Sequence, residues 1–141
     1  MKFKMKFKKV IAIASVFTIL STVPSFAAGI GSGTDHTFTT ELPTFCDNIW
    51  FIFRKKETNT QNSKIKLTQL PSKCEGTNVW IENGFKTRVS QVIKVTDKNT
   101  KTIRINDAGT ARKGKTVRLG LEDRDKTLIF KHTIKGIINY G

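Results

Sequence analysis

Few residues in this sequence are suited to catalysis, and they do not form a recognisable constellation. The two histidines, His36 and His132, would act as general bases only beside a nucleophile and a third, orienting group. The sequence has no G-x-S-x-G nucleophile elbow, and the histidines lack the H-x-H or H-x-x-x-H spacing of a metal site. No glycine-rich phosphate loop leads from a strand into a helix. The sequence therefore predicts a protein that is not an enzyme and that holds no cofactor or metal.

One acidic cluster, Glu122-Asp123-Arg124-Asp125, contains three carboxylates of the kind that ligate calcium. Arg124 lies inside this cluster, and no glycine supplies the turn that would wrap the loop around an ion. We therefore interpret residues 122–126 as an exposed, charged turn between two strands rather than as a metal site.

Aromatic side chains interleaved with lysine and arginine can bind sugars or single-stranded nucleic acid by stacking. Trp80 stands between Val79 and Ile81, so its side chain points to the opposite face of a strand from theirs. If that face is exposed, Trp80 is an exposed stacking platform; the apolar neighbours favour the alternative, a position in the core. Trp50 lies in the most apolar segment of the chain and is also expected in the core.

The positive charge of the chain is concentrated in its second half. The net charge is +14, and +9 remains when residues 1–27 are removed. All of this +9 lies in residues 86–141, because acidic and basic residues balance in residues 28–85. Charge of one sign favours an anionic partner, although lysines also keep small β proteins soluble and protect their edge strands.

Basic residues recur at alternate positions of the expected strands, which directs them away from the apolar face. If these strands form one sheet, its outer face is a basic surface for anionic wall polymers or a membrane surface, without specificity for a nucleic acid. The expected anion-binding residues are Lys94, Arg104, Arg112, Lys113, Lys115, Arg118, Lys131 and Lys135.

Alternation with a period of two, interrupted by frequent turn signals, predicts short strands along most of the chain. Residues 45–54 are apolar on both faces, which indicates a strand in the middle of a sheet. Asn83-Gly84 is typical of a tight hairpin turn with positive φ at both central residues. We therefore predict one all-β domain over residues 35–141, a small β-sandwich or barrel of about eight antiparallel strands.

The first 27 residues have the pattern of a cleavable signal peptide. Five lysines precede an apolar stretch of 11 residues, and Ser25 and Ala27 occupy the small positions of a cleavage site. The apolar stretch is shorter than the roughly 20 residues that span a bilayer. We therefore expect a secreted, extracellular domain, introduced by a flexible glycine-rich leader at residues 28–34.

The two cysteines, Cys46 and Cys74, are candidates for a disulfide, because an exported protein folds in an oxidising environment. The bridge would close a loop of 29 residues. Loop entropy alone would then stabilise the fold by roughly 3–4 kcal/mol. The alternative is two thiols that are buried separately.

Several segments spread over most of the chain carry a family resemblance. They are the signal peptide, RKKETNTQN at 54–62, the strand at 64–70, the strand around Trp80, LGLE at 119–122 and IKG at 134–136. With these segments the chain resembles a family of small secreted proteins of Gram-positive bacteria that is labelled only as a domain of unknown function. The resemblance implies a secreted β domain without known activity, and it carries over no functional residues. Ile137, Ile138 and Tyr140 depart from the more aromatic ending of that family, and so does the cysteine pair.

These features favour a secreted, non-enzymatic binding or interaction domain that associates with anionic cell-wall polymers. The alternative is a cationic, bacteriocin-like or toxin-like effector that acts on membranes or neighbouring cells. The sequence has neither the double-glycine leader nor the amphipathic helix that is typical of bacteriocins. A small secreted hydrolase is the third possibility, and no catalytic arrangement supports it.

Overall fold

The computed structural model describes residues 29–42, 47–72, 74–124 and 131–141. Within these ranges the chain forms nine strands and no helix. Accordingly, no helix in the described ranges has the length and hydropathy that crossing a bilayer requires. The strands are β1 (Asp35–Leu42), β2 (Asn48–Trp50), β3 (Arg54–Lys55), β4 (Asn62–Gln69), β5 (Thr77–Asn83), β6 (Ile93–Val95), β7 (Lys101–Arg104), β8 (Thr116–Asp123) and β9 (His132–Asn139).

The strands form two antiparallel sheets. Sheet A has the order β1-β9-β4-β7, and sheet B has the order β2-β8-β5-β6, with β3 also paired to β8. The predicted all-β sandwich is confirmed, and the sheets do not close into the barrel that the sequence also allowed.

The core lies between the two sheets and follows from the alternation along each strand. Sheet A directs Ile65 and Leu67 of β4 inward, and sheet B directs Val79, Leu119 and Leu121 inward. Each of these side chains is completely buried. Burial of one such side chain stabilises the folded state by about 1.5–3 kcal/mol. The polar residues between them point to the two outer faces of the sandwich.

Residues 45–54 do not form the expected central strand. The described part of this segment contributes β2 and the beginning of β3 at the edge of sheet B. Trp50 is opposite Gly120 and Arg54 is opposite Val117, so four steps along one strand face three steps along the other. The extra residue is a β-bulge, which interrupts the alternation. The segment is apolar on both faces because Trp50 and Phe53 pack on the outside of the sheet.

The first two residues of the expected charged turn at residues 122–126 belong to a strand instead. Glu122 and Asp123 are the last residues of β8, and Asp123 is buried. Glu122 Oε2 accepts a hydrogen bond from Asn78 Nδ2 of the neighbouring strand at 2.8 Å. This cross-strand bond lets the acidic residue continue the sheet. Residues 125–130 lie outside the described residues.

The Asn83-Gly84 turn is present, but its backbone differs from the expected one. Positive φ occurs at Lys86 (61°) and not at Asn83 or Gly84. The Asn83 side-chain oxygen accepts the backbone N–H groups of Phe85 and Thr87, each at 3.0 Å. These bonds stabilise a longer loop than the two-residue turn.

The glycine-rich leader is held against the end of β9, in contrast to the flexible segment that its composition predicts. Asn139 Oδ1 accepts the N–H of Gly33 at 3.1 Å, and Asn139 Nδ2 donates to Asp35 at 2.7 Å. Thr34 donates its N–H and its hydroxyl to Glu57 Oε2 at 2.8 and 2.9 Å. These two bonds from Thr34 hold the pKa of Glu57 below its usual value.

Two titratable groups are buried beside the end of β9. Tyr140 lies in the core, and burial raises its pKa to about 12. The amine of Lys56 is buried and donates to the carbonyl oxygen of Tyr140, which also accepts from the Ser63 hydroxyl at 3.2 Å. Burial lowers the pKa of Lys56, because the charged ammonium loses its hydration.

Because Tyr140 is the single tyrosine of the chain, its ionisation can be isolated with the variant Tyr140→Phe. Between pH 10 and about 12 the unfolded chain loses the phenolic proton, whereas the folded protein keeps it. The folded state then binds more protons, so stability falls as the pH rises. We expect the wild type to lose about 2 kcal/mol more than the variant over this interval in denaturant unfolding. Equal losses in both proteins would contradict the prediction.

Candidate functional site

The eight basic residues that were predicted to form one surface are divided between the two sheets. Arg104 on β7 and Lys135 on β9 belong to sheet A, whereas Lys94 on β6 and Arg118 on β8 belong to sheet B. The sheets pack face to face, so their outer faces point in opposite directions. The expectation of a single basic face is therefore wrong, because it assumed that these strands share one sheet.

The remaining predicted residues also differ in their surroundings. Arg112, Lys113 and Lys115 are exposed in the loop between β7 and β8. Lys131 Nζ lies 3.5 Å from Glu41 Oε2, and both side chains are mostly exposed. Such a surface ion pair contributes at most about 1 kcal/mol, but it reduces the charge that Lys131 offers to a ligand.

The outer face of sheet A has a continuous row of four cations. Only two of them, Arg104 and Lys135, were among the residues predicted from the sequence. Ile65 and Leu67 point into the core, so Lys64 and Lys66 on the same strand point outward. Arg104 and Lys135 flank them on the neighbouring strands β7 and β9. We call this set the basic stripe; it consists of Lys64, Lys66, Arg104 and Lys135.

The strand register orders the basic stripe as a diagonal. Lys66 is opposite Ile137 of β9, two residues beyond Lys135, and Lys64 is opposite Thr102 of β7, two residues before Arg104. Strands lie about 4.8 Å apart and rise about 3.3 Å per residue, so the stripe is about 20 Å long. A bulge in β4 between Leu67 and Gln69 brings Gln69 opposite Lys135.

The charges of the basic stripe are not neutralised within the described part of the chain. None of its four side chains forms an ion pair with a described residue. Arg104 Nη2 donates to the amide oxygen of Gln61 at 3.3 Å, which leaves its charge uncompensated. The acids on the same face belong to β1 and are already engaged: Asp35 binds Asn139, and Glu41 pairs with Lys131. The stripe therefore presents four cations to solvent.

Both tryptophans were expected to be buried, but only Trp80 is. Trp80 is 6% exposed, which corrects the alternative of an exposed platform at that position, and Trp50 is 46% exposed, which corrects its assignment to the core. Both lie on the outer face of sheet B, in register with Gly120 of the strand between them. A Cβ atom at Gly120 would lie 2.3 Å from Trp80 Cε2, so only glycine leaves room for the indole ring.

One carboxylate fixes the side chains around these rings. Glu82 Oε1 accepts the indole N–H of Trp50 at 2.9 Å and that of Trp80 at 3.0 Å. Glu82 Oε2 accepts two hydrogen bonds from Arg118, at 2.9 and 2.6 Å. Burial raises the pKa of Glu82, but the bonds from Trp80, Arg118 and Trp50 outweigh this effect and hold the pKa below its usual value.

Arg118 is consequently not a free anion-binding residue. Its guanidinium carbon lies 5.4 Å from the ring centre of Trp50 and 4.8 Å from that of Phe53, both within the range of a cation–π interaction. The β-bulge between β2 and β3 places Phe53 beside Arg118. We call this cluster the aromatic platform; it consists of Trp50, Phe53, Trp80, Glu82 and Arg118.

The histidines are far apart. His36 is opposite Ile138 and His132 is opposite Leu42, so they lie at opposite ends of the β1–β9 pair. His36 and Leu42, the partner of His132, are six positions apart on β1, which corresponds to about 20 Å. In the described ranges, no group of three histidine, cysteine, aspartate or glutamate side chains could hold a metal ion.

Cys74 is buried, and its Sγ lies 3.8 Å from the carbonyl oxygen of Gly76. Cys46 lies outside the described residues. The Cys46–Cys74 bridge therefore stays a prediction from the sequence.

Comparison with known proteins gives no matching family model and no matching curated protein. The resemblance to secreted proteins of Gram-positive bacteria is accordingly still a prediction. The basic stripe and the aromatic platform are candidate binding surfaces of the part of the chain that the structure describes.

Proposed function

We propose that this protein is a secreted, non-enzymatic binding domain that associates with anionic cell-wall polymers through the basic stripe. The observation that supports the proposal is the row of four cations on the outer face of sheet A, none paired with an acid of the described chain. The signal-peptide pattern of residues 1–27, which lie outside the described residues, supports export.

The shape of the basic stripe suits a linear polyanion better than a compact ion. Neighbouring cations of the stripe are about 6–8 Å apart. This is the distance between residues i and i+2 of one strand, or between diagonal positions on adjacent strands. A chain of phosphate groups can contact all four cations at once, whereas a single phosphate can contact only one or two. Several weak contacts along one polymer add up through the high effective concentration of the remaining sites.

The proposal predicts binding that depends on charge and salt. We expect the protein to sediment with cell walls that carry anionic polymers at low salt and to be released at high salt, because the Debye length falls from about 30 Å at 0.01 M to about 3 Å at 1 M. The triple variant Lys64→Gln, Lys66→Gln, Lys135→Gln should bind at least about tenfold more weakly at low salt, a loss of about 1.4 kcal/mol or more. Co-sedimentation across a salt series measures both effects.

The matched control removes the same charge elsewhere. Lys94, Lys98 and Lys113 are exposed and lie outside the basic stripe. Their simultaneous change to glutamine should leave binding close to that of the wild type. Equal losses in the two triple variants would show that net charge, and not the stripe, governs binding. Binding that persists at high salt would reject the electrostatic mechanism.

A cationic effector that acts on membranes is the second candidate. It is favoured by the exposed apolar side chains of Trp50, Ile52 and Phe53 next to the exposed cations Arg54 and Lys55. Apolar and basic residues in sequence are typical of surfaces that bind anionic lipid. If this candidate is correct, the protein releases dye from anionic vesicles. A domain that only binds cell walls does not cause this release.

A further inference from the structure

We propose that the aromatic platform binds a neutral oligosaccharide, with the indole of Trp50 stacked against the apolar face of one sugar ring. The site lies on sheet B and is separate from the basic stripe of sheet A. Trp50 is 46% exposed and Phe53 is 36% exposed at the edge of this sheet.

The platform is rigid before any ligand arrives. The indole N–H of Trp50 is bonded to Glu82, which also holds Arg118 between the rings of Trp50 and Phe53. A ring that is already fixed loses little conformational entropy on binding. Its N–H group is bonded to Glu82 and one face of its ring is covered by Arg118, so the opposite π-face of Trp50 is the part that would pack against the C–H groups of a sugar.

Polar side chains lie beside the rings on the same face of sheet B, two residues away along the strands. Asn48, Glu122 and Asn78 are opposite one another in β2, β8 and β5, one row away from Trp50 on the same face. Asn78 Nδ2 donates to Glu122 Oε2, and this pair together with Asn48 retains further amide and carboxylate sites. These groups match the hydroxyls that surround the apolar face of a sugar.

The size of the apolar surface distinguishes a sugar from a protein or a lipid. Trp50, Phe53 and Ile52, which is 66% exposed, together present roughly 300 Å² of apolar surface. A stable protein interface needs about 800 Å² from each partner. Insertion into hydrocarbon would also bury the Arg118 and Glu82 charges more deeply, at a high desolvation cost. The binding of a sugar requires neither a large apolar interface nor the deeper burial of these charges.

Intrinsic fluorescence tests the proposal directly. The chain has two tryptophans, and both belong to the aromatic platform. Neutral tetra- to hexasaccharides of glucose and of N-acetylglucosamine serve as probes. We expect at least one series to change the fluorescence saturably and to protect Trp50 from a soluble quencher. Phe53→Ala should weaken binding by about tenfold. Trp50→Ala, followed by calorimetry, should abolish it.

The control and the outcomes separate this site from the basic stripe. Phe85, which is 91% exposed and lies outside the platform, provides the matched variant Phe85→Ala, and its affinity should equal that of the wild type. Binding should persist at high salt and in the Lys64→Gln, Lys66→Gln, Lys135→Gln variant. The proposal is overturned if neither saccharide series changes the fluorescence, or if Phe53→Ala and Trp50→Ala bind as the wild type does. It is also overturned if only anionic vesicles change the fluorescence, which would assign the face to lipid.

Discussion

Glu82→Ala is expected to lower the free energy of unfolding by about 3–5 kcal/mol. The Glu82 and Arg118 side chains are only 9% and 14% exposed, so the substitution leaves a largely buried guanidinium without its counter-charge. It also removes the acceptor for the indole N–H groups of Trp50 and Trp80. Denaturant unfolding followed by tryptophan fluorescence measures the loss.

Two variants show whether this loss arises from the unpaired charge. Glu41→Ala breaks the exposed ion pair with Lys131 and should cost less than about 1 kcal/mol. The double variant Glu82→Leu, Arg118→Leu removes both partners, so it should be more stable than Glu82→Ala. A loss below about 1 kcal/mol for Glu82→Ala would mean that solvent readily replaces the carboxylate, and that the platform is less rigid than its geometry indicates.

Asn139→Ala is expected to cost about 2–4 kcal/mol, because it removes the partner of one buried and three partly buried polar groups. The Asn139 side chain accepts the N–H groups of Gly33 and Gly141 and donates to Asp35 and to the carbonyl oxygen of Gly33. The substitution should therefore release residues 29–34 as well as lower stability. Hydrogen exchange and limited proteolysis report the release, and denaturant unfolding reports the stability.

The control for this substitution is Asn106→Ala, an exposed asparagine, for which a change within about 0.5 kcal/mol is expected. If Asn139→Ala unfolds as the wild type does and residues 29–34 stay protected, the side chain does not fasten the leader. Loss of stability without release would show that the bonds to Thr34 and Ile30 are sufficient for the leader.

The fold was predictable from the sequence because it depends on local alternation. Ile65 and Leu67 alternate with Lys64 and Lys66, and Val117, Leu119 and Leu121 alternate with Arg118 and Gly120, so each strand shows its inner face directly. Residues 50–54 were misread because a bulge adds one residue and breaks the alternation. Nothing in a single strand reveals a bulge that is defined by the register of its partner.

The candidate sites were only partly predictable, because they depend on which strands become neighbours. Lys64 and Lys66 were overlooked since the acids of residues 28–85 balance their charge in the sequence, although in space those acids lie elsewhere or are engaged. Arg118 was expected to bind anions, but its neighbour on β5 is Glu82. Trp80 can be buried because Gly120, which is 40 residues away in the sequence, has no side chain that would collide with the indole ring.

The pairing of β1 determines the order in which the molecule can assemble. Sheet B uses strands that lie between residues 48 and 123, so all of its partners are present once Asp123 has been synthesised. In the described chain β1 pairs with β9, with Asp35 opposite Asn139. Such distant pairing raises the contact order and slows folding to the range of milliseconds to seconds. Within the described chain, β1 therefore has no partner in sheet A until residues 132–139 of β9 have been synthesised, and sheet A can reach its final strand order only then.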